Sequence, residues 1–448
     1  MLRGLVLVLF FMMCGFSHAV DSQTLFKISE VESKYGVRAW FVHKDDVPLV
    51  FYSFVFKGGG YAYDPKIKLG LAALVVEVLN EGISGTTNRD FVKSLEKIGG
   101  KIVYDLGTND LVVTVSAPKE SIRQAIELFC ASIAKPKLDD ETLSKVKERQ
   151  ISQLKRDEGD PVSIAKTEFF KIAFPDSGYS NVRWGRVETI RAIKAEDIKT
   201  KIVNVFNRIN MRIAVLGNTH ADDIKSVLDD YLIEFPLTMM EVKKPEQPVF
   251  RTSGECISVE KSIPQNIILF GHSGMSPTDK DFYNLVVLNH ILGGRGLESL
   301  LMQEIRERRG HTYGIYTQIM HSAVNLLFGF ATTSNDSAPQ VREEILNVLN
   351  ELKRSGLTSA RVEKAKSHLL DTFVLKMDKS ASMLDMLVQM QQEGLEIDYM
   401  EKYLEGIRKV KVENLNLFIK DFLNPQSVLF VSVGANVSST TGAKVCPK

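Results

Sequence analysis

The stretch LGLAALVVEVLNEGIS, residues 69–84, decides how this 448-residue chain is expected to fold. Its apolar residues recur at helical spacing, and Gly82 marks a turn of the kind at which helices commonly end. Upstream, a predicted strand runs into FKGGG at residues 56–60, and Asp64 and Pro65 follow it as a turn. The sequence therefore predicts a short apolar helix placed directly after a strand and a turn.

The length and composition of the chain limit the classes of protein to which it can belong. A chain of 448 residues is too long for one ordinary core and predicts at least two domains. Hydrophobic residues make up 44% and charged residues 25%, which is typical of globular proteins. The formal net charge is only +1, and the basic stretch at residues 145–155 has acids interleaved. These observations argue against nucleic acid as a partner.

The N-terminus resembles a secretory signal peptide over residues 1–19. Arg3 gives it a positive start, residues 5–16 are apolar, and residues 17–19 offer small side chains for cleavage after Ala19. An uncleaved N-terminal anchor is the alternative. No later stretch reaches 18 uninterrupted apolar residues, so no stable membrane insertion is expected after signal removal. We expect an exported protein, periplasmic if the host is a Gram-negative bacterium.

The cysteines do not form a metal-binding motif. Removal of the signal peptide would leave Cys130, Cys256 and Cys446, which are far apart and contain no Cys-x-x-Cys pair. One disulfide among the three is compatible with an oxidising compartment, and the sequence does not select the pair. Cys130 lies in the apolar run IELFCASI and is expected to be a buried thiol.

The chain repeats itself at a spacing of nearly half its length. The segment from Arg186 resembles the segment from Tyr403: both contain an Ile-Arg pair, an amphipathic helix and an apolar strand ending in glycine. The two glycines, Gly217 and Gly434, are 217 residues apart. LDDETLSKVKERQ at residues 138–150 likewise resembles LTSARVEKAKSHL, 219 residues later. The sequence therefore predicts a tandem of two similar halves.

Each half mixes strand and helix patterns without regular alternation. Residues 37–59 and 111–117 read as strands, whereas residues 120–134 and 341–356 carry apolar residues at helical spacing. We therefore predict an α+β fold in which each half is an antiparallel-rich sheet with helices packed on one face. The predicted boundaries are 1–19 signal peptide, 20–235 N-terminal domain, 236–248 linker, 249–440 C-terminal domain and 441–448 tail.

The frame around the first helix resembles that of the pitrilysin-like zinc peptidases, which include the mitochondrial processing peptidase. In active members this helix carries an inverted His-x-x-Glu-His motif, in which two histidines hold zinc and the glutamate activates water. Here the three motif positions fall on Ala73, Val76 and Glu77, and the distal glutamate ligand falls on Gln153 or Leu154. The resemblance therefore implies a degenerate motif, no catalytic residue in this chain and no bound zinc.

The second half keeps a different signature of the same family. HILGGRGLESLLMQEIRERRGHTYGIY, residues 290–316, reads as a glycine turn, a helix over 297–308 and a strand from Thr312. It contains Arg306 and, seven residues later, Tyr313. In active relatives this pair binds the substrate backbone and helps to stabilise the oxyanion, because both side chains donate hydrogen bonds. Arg306 and Tyr313 are the predicted substrate-binding residues.

Family members commonly face each other as a clamshell, with this pair opposite the zinc of the other unit. The resemblance thus implies a non-catalytic, substrate-binding subunit of an exported heterodimeric zinc metallopeptidase, whose zinc-bearing homologous partner cuts peptides. The alternative is a homodimeric peptide-binding scaffold with no proteolytic role. A hydrolase acting alone is disfavoured, because no Ser-His-Asp or Cys-His motif supports it.

Overall fold

A computed structural model describes residues 27–236, 248–250, 252, 254–294, 296–435 and 444–445. The predicted signal peptide and most of the predicted linker fall outside these residues. Within them, no helix combines the length and the apolar character needed to cross a bilayer.

The first half is built on a six-stranded mixed sheet. Its strands, in chain order β1 to β6, are Ser29–Glu32, Arg38–His43, Leu49–Lys57, Lys101–Leu106, Asp110–Pro118 and Met211–Gly217. The order across the sheet is β1-β2-β6-β3-β5-β4. Every neighbouring pair is antiparallel except β2 and β6, which run parallel.

The second half repeats this sheet. Its strands β7 to β12 are Cys256–Glu260, Gln265–Ser273, Gly314–Met320, Leu326–Ser334, Leu429–Gly434 and Lys444–Val445. Their order, β12-β7-β11-β8-β10-β9, matches that of the first sheet, with one parallel pair, β7 and β11, at the equivalent place. The edge strand β12 comes from the segment predicted as a tail.

Helices fill the connections between the strands. The α-helices α1 to α14 are Leu71–Glu81, Asn88–Lys97, Ile122–Ala134, Asp140–Gly159, Pro161–Ala173, Val187–Ala192, Ala195–Val205, Ala221–Tyr231, Phe282–Leu292, Ala338–Ser355, Ser359–Met377, Ser380–Glu393, Tyr399–Lys409 and Val412–Phe422. One π-helix spans Met302–Glu307. Short 3-10 turns occupy Tyr61–Tyr63, Lys66–Lys68, Gly178–Ser180, Leu232–Glu234 and Pro425–Ser427.

The two halves exchange a helix. Helix α5 leaves the first half and packs on the second sheet, where Phe169 meets Phe328 edge to face with ring centroids 5.1 Å apart. Helix α12 leaves the second half and packs on the first sheet, where Leu387 joins a buried cluster with Ala214 and Leu216. The exchanged helices begin at residues 161 and 380, which are 219 residues apart, as in the sequence repeat.

The α+β class and the tandem of two similar halves are confirmed. The expectation of helices on one face is incomplete, because each sheet is covered on its second face by the helix that the other half contributes. This arrangement buries both faces of each sheet, so the strands carry long buried runs: in β3, Val50 and every residue from Tyr52 to Phe56 are buried. The domain boundaries stay predictions.

Candidate functional site

Helix α1, on which the family places its zinc motif, is held at its start by a buried carboxylate. Asp64 accepts hydrogen bonds from the backbone N–H groups of Gly70 and Ala72, each at 3.1 Å. Lys201 lies 3.4 Å from the same carboxylate. Burial raises the pKa of Asp64, against the opposing charge of Lys201 and these hydrogen bonds. Asp64 thus satisfies amides at a helix N-terminus, where negative charge is favoured.

The glycines that flank this helix are required by backbone geometry. Gly70 has φ +90°, and a Cβ there would lie 2.5 Å from the carbonyl oxygen of Trp184. Gly82 has φ +94°, and a Cβ there would collide with the ring of Phe91 at 2.6 Å. Both positions therefore exclude other residues on conformational and steric grounds. The glycines that flank α1 are therefore required by the backbone geometry itself, whether or not a metal is bound.

The three motif positions do not provide a zinc site. Ala73 is 1% exposed and lies in the first-half core, and Val76 packs against that core. Neither side chain carries a donor atom, whereas catalytic zinc is usually held by three protein ligands. Glu77 is the one motif position with a carboxylate, and its Oε2 accepts a hydrogen bond from Nε of Arg149 at 2.5 Å. The donor set does not fit a zinc ion.

An ion-pair network joins the carboxylates of α1 to basic side chains of α4. Besides Glu77, Arg149 contacts Glu81 Oε1 at 2.8 Å, and Lys145 contacts Glu81 Oε2 at 2.9 Å. The Glu81 side chain is only 4% exposed. Burial alone would raise the pKa of Glu81, but the hydrogen bonds and charges of Lys145 and Arg149 outweigh it and lower that pKa. The network joins α1 to α4 through charge.

The positions predicted for the distal ligand have other roles. Leu154 is 3% exposed and belongs to the first-half core. The amide of Gln153 donates to Asp157 at 2.8 Å and accepts from Arg156. Across the part of the chain that the structure describes, no group of three His, Cys, Asp or Glu side chains is arranged to hold a metal ion.

In the second half, Arg306 lies within the π-helix. The wider turn is recorded in the backbone bond from Arg308 N–H to the carbonyl of Gln303, five residues earlier. This segment was predicted as an ordinary helix over 297–308, and the structure instead gives π geometry at Met302–Glu307. Single π-helical turns are rare in proteins, and those that do occur are often found at functional sites.

Arg306 differs from the two arginines beside it. Arg308 pairs with Glu304 at 2.5 Å, and Arg309 pairs with Glu344 at 3.4 Å as well as with Glu304. Arg306 is exposed, and its side chain forms no ion pair or hydrogen bond with any described residue. Of the three neighbouring guanidinium groups, it is the one without a charged partner in the part of the chain that the structure describes.

Tyr313 lies at the start of an open sheet edge. Its side chain is 58% exposed, while its backbone N–H is tied to the carbonyl of Thr332 at 2.9 Å. The next residue begins β9, which is the last strand of the second sheet. Arg306 and Tyr313 therefore flank the turn through Gly310 that leads from the π-helix into β9.

Comparison with known protein families tests the resemblance to the zinc peptidases. The model "Insulinase (Peptidase family M16)" matches residues 52–173, and "Peptidase M16 inactive domain" matches residues 192–369. The two models cover most of both halves. The chain belongs to peptidase family M16. The resemblance to pitrilysin-like zinc peptidases is thereby confirmed, and members of this family commonly act in pairs or in larger complexes.

Relatives of this M16 chain include both non-peptidases and peptidases by name. The "Non-peptidase homolog YmxG" of Helicobacter pylori is 27% identical over 86% of this chain and 89% of its own. The "Zinc protease PqqE" of the same organism is 22% identical over 79% of this chain and 82% of its own. A crystal structure of an M16 inactive domain from Pseudomonas fluorescens covers 92% of this chain and 100% of its own, with 20% identity and a TM-score of 0.82.

Within family M16, this chain lacks the metal-ligating side chains of the zinc motif at Ala73 and Val76. The inactive-domain model matches mainly the second half, so the loss of zinc chemistry rests on Ala73, Val76 and Glu77 in the first. Sequence reasoning missed the role of Arg149, which lies 72 residues from Glu77. It also missed the π-helix, which the local sequence does not signal. The helical spacing of Lys145 and Arg149, four residues apart on α4, was the available hint.

Proposed function

We propose that this chain is the non-catalytic, substrate-binding subunit of an exported heterodimeric zinc metallopeptidase. It supplies part of the wall of a substrate chamber and directs Arg306 and Tyr313 towards peptides that a zinc-bearing M16 partner cleaves. The observation that carries the proposal is an asymmetry between the halves. The zinc motif is degenerate, whereas the side chains of Arg306 and Tyr313 are retained, exposed and without a hydrogen bond or ion pair to any described residue.

The chemistry of the retained pair suits a peptide. A guanidinium is a permanent cation with several donors, and a phenol adds one directional donor. Donors of this kind bind carbonyl oxygens and stabilise the negative charge that develops when an amide is attacked. Beside them, β9 has the outer edge of a sheet, to which an extended peptide can add by main-chain hydrogen bonds.

A division of labour between related chains is supported by the relatives. Helicobacter pylori contains one relative named a non-peptidase homologue and another named a zinc protease, and both align with most of this chain. A host of this chain that also encodes an intact His-x-x-Glu-His homologue would contain both parts of such an enzyme. The same pairing provides the zinc that Ala73 and Val76 cannot hold.

Export is part of the proposal and rests on two features. Residues 1–19 have the pattern of a signal peptide. Cys256 is disulfide-bonded, and disulfides persist mainly in oxidising compartments such as the periplasm. Cys130, by contrast, is a buried thiol outside any disulfide, as its apolar surroundings predicted.

Co-expression with a zinc-bearing M16 homologue from the same host tests the proposal. The two chains should co-purify, and the pair should cleave unfolded peptides in a reaction that a chelator abolishes. Each chain alone should be inactive, and metal analysis should find no tightly held zinc on this one. A self-associated chain that binds peptides without the homologue would instead favour the homodimeric scaffold.

Arg306→Ala isolates the role of the retained pair, and Arg308→Ala is the matched control. Both residues lie on or next to the same π-helix and both are exposed, but Arg308 is engaged by Glu304. Loss of one oxyanion donor typically costs about a hundredfold or more in turnover. We expect the turnover of the heterodimer to fall by about that factor when this chain carries Arg306→Ala, and to change little when it carries Arg308→Ala. Equal turnover of the two variants would remove the proposed role of Arg306.

A further inference from the structure

A separate cavity lies between helices of the second half, away from α1 and from the π-helix. It has a volume of about 330 Å³, is partly open to solvent and is lined by α9, α11, α12, α13 and the end of β9. This volume lies within the range of small-molecule sites, roughly 300–1,000 Å³. Its walls are largely apolar and aromatic, formed by Phe282, Phe373, Met386, Met390, Tyr399 and Tyr403.

The aromatic walls are ordered by contacts with one another. Phe373 stacks on Tyr403 with ring centroids 4.9 Å apart, and Tyr399 lies 6.2 Å from the same ring. Burial raises the pKa of Tyr403 to about 12 and raises that of Tyr399 as well. Both phenols therefore stay neutral and keep a hydrogen-bond donor. The cavity offers a flat apolar slot with donors at its wall.

One end of the cavity carries an oriented histidine. His321 Nδ1 lies 2.7 Å from Oε2 of Glu393, whose side chain is 4% exposed. The other carboxylate oxygen of Glu393 accepts from Gln389 at 3.0 Å. Because a carboxylate only accepts, Nδ1 of His321 donates, and Nε2 has no partner among the described residues. The imidazole is thus fixed by Glu393 and has one nitrogen available to a ligand.

The described lining of the cavity contains one ammonium group, that of Lys376, whose charge also acts on the carboxylate of Asp385. Glu393 is the one carboxylate in its lining, and both of its oxygens are already engaged. Lys376, less than one helical turn after Phe373, also lines the cavity and forms no ion pair with any residue the structure describes. His290 and His368 also line the cavity, and their rings stack with centroids 4.9 Å apart.

We propose that this cavity binds a small aromatic carboxylate, whose ring lies between the aromatic walls and whose carboxylate faces Lys376. The apolar walls account for the ring, and the ammonium of Lys376, which has no ion-pair partner among the described residues, accounts for the acid group. This site does not depend on the proposed peptidase role. It shares Met390 and Phe373 with the cluster through which α12 covers the first sheet, so a bound ligand stabilises the junction of the two halves.

Isothermal titration of the purified chain with phenylpropionate tests the site, with phenylpropionamide as the neutral match. We expect saturable binding of the acid and binding of the amide weaker by about tenfold, the scale of one charge-assisted hydrogen bond. A tripeptide ending in phenylalanine distinguishes a peptide C-terminus from a free small acid as the source of the same group. Absence of saturable binding, or equal binding of acid and amide, would refute the proposal.

Lys376→Gln provides the second test, because Lys376 is exposed and its replacement leaves the core intact. The variant should bind the acid about tenfold more weakly and the amide unchanged. Lys379→Gln is the control: Lys379 is an exposed lysine three residues along, outside the lining of the cavity. If the two variants bind phenylpropionate equally well, the assignment of the carboxylate to Lys376 is wrong.

Discussion

The guanidinium of Arg149 lies 2.5 Å from the carboxylate of Glu77, the residue that stands where the second histidine of the zinc motif is expected. The positive charge of Arg149 thus neutralises a carboxylate on α1, the helix that carries the zinc motif in active relatives. The same guanidinium also reaches Glu81, which is almost fully buried. The contact therefore links α1 to α4 through ion pairs, one of which involves a nearly buried carboxylate.

Replacing Arg149 by alanine should destabilise the chain. The change leaves Glu77 without its partner and the buried Glu81 with Lys145 alone. Removing one partner of a buried ion pair costs about 3–5 kcal/mol, and the 41% exposure of Arg149 reduces this to about 1–3 kcal/mol. Urea unfolding at neutral pH measures the difference in the free energy of unfolding.

Arg156→Ala is the control for that experiment. Arg156 lies on the same helix but is exposed and contacts only the side chain of Gln153 among the described residues. Its loss should change the free energy of unfolding by less than about 0.5 kcal/mol. Similar effects of the two substitutions would show that the Arg149 network does not stabilise the fold.

Glu81→Gln should change how stability depends on pH. The folded pKa of Glu81 is lowered below its ordinary value of 4.5, so its charge stabilises the fold above that value. This stabilisation is lost as the pH falls through the lowered folded pKa. The wild type should therefore exceed the variant in stability at neutral pH, and the gap should shrink below about pH 4.5. Urea titrations across this range measure it, and a gap independent of pH would contradict the assignment.

Leu387→Ala should loosen the first half although Leu387 belongs to the second. Its side chain is fully buried against Ala214 and Leu216 of β6. Removing a buried leucine side chain costs about 2–5 kcal/mol, because it loses apolar burial and leaves a cavity. Hydrogen exchange should rise at the amides of β6, Met211–Gly217. Leu417→Ala, at a position 62% exposed, is the control and should leave that exchange unchanged.

The sequence was sufficient wherever the information is local or repeated. The spacing of Gly217 and Gly434 predicted two similar halves, and the matching strand orders confirm them. The absence of donor atoms at Ala73 and Val76 can be read directly, because a methyl or isopropyl group cannot ligate a metal in any fold. The pattern of residues 69–84 also gave α1 to within two residues at its start.

Contacts between segments that are far apart in the sequence could not be predicted from the sequence. The pairing of Arg149 with Glu77, the exchange of α5 and α12, and the cavity beside His321 all depend on which helices become neighbours. Helical spacing predicts that a helix has an apolar face but does not say which sheet will cover it.

By itself, then, the sequence determined the duplicated α+β architecture and the loss of zinc ligands, since both follow from residue identity and spacing along the chain. Only the tertiary structure decided that a guanidinium pairs with Glu77 and Glu81 and that each half covers the sheet of the other. It also decided that, among the described residues, Arg306 has no ion-pair partner while Arg308 and Arg309 are paired. These outcomes depend on distances between side chains that are far apart in sequence, and folding alone sets those distances.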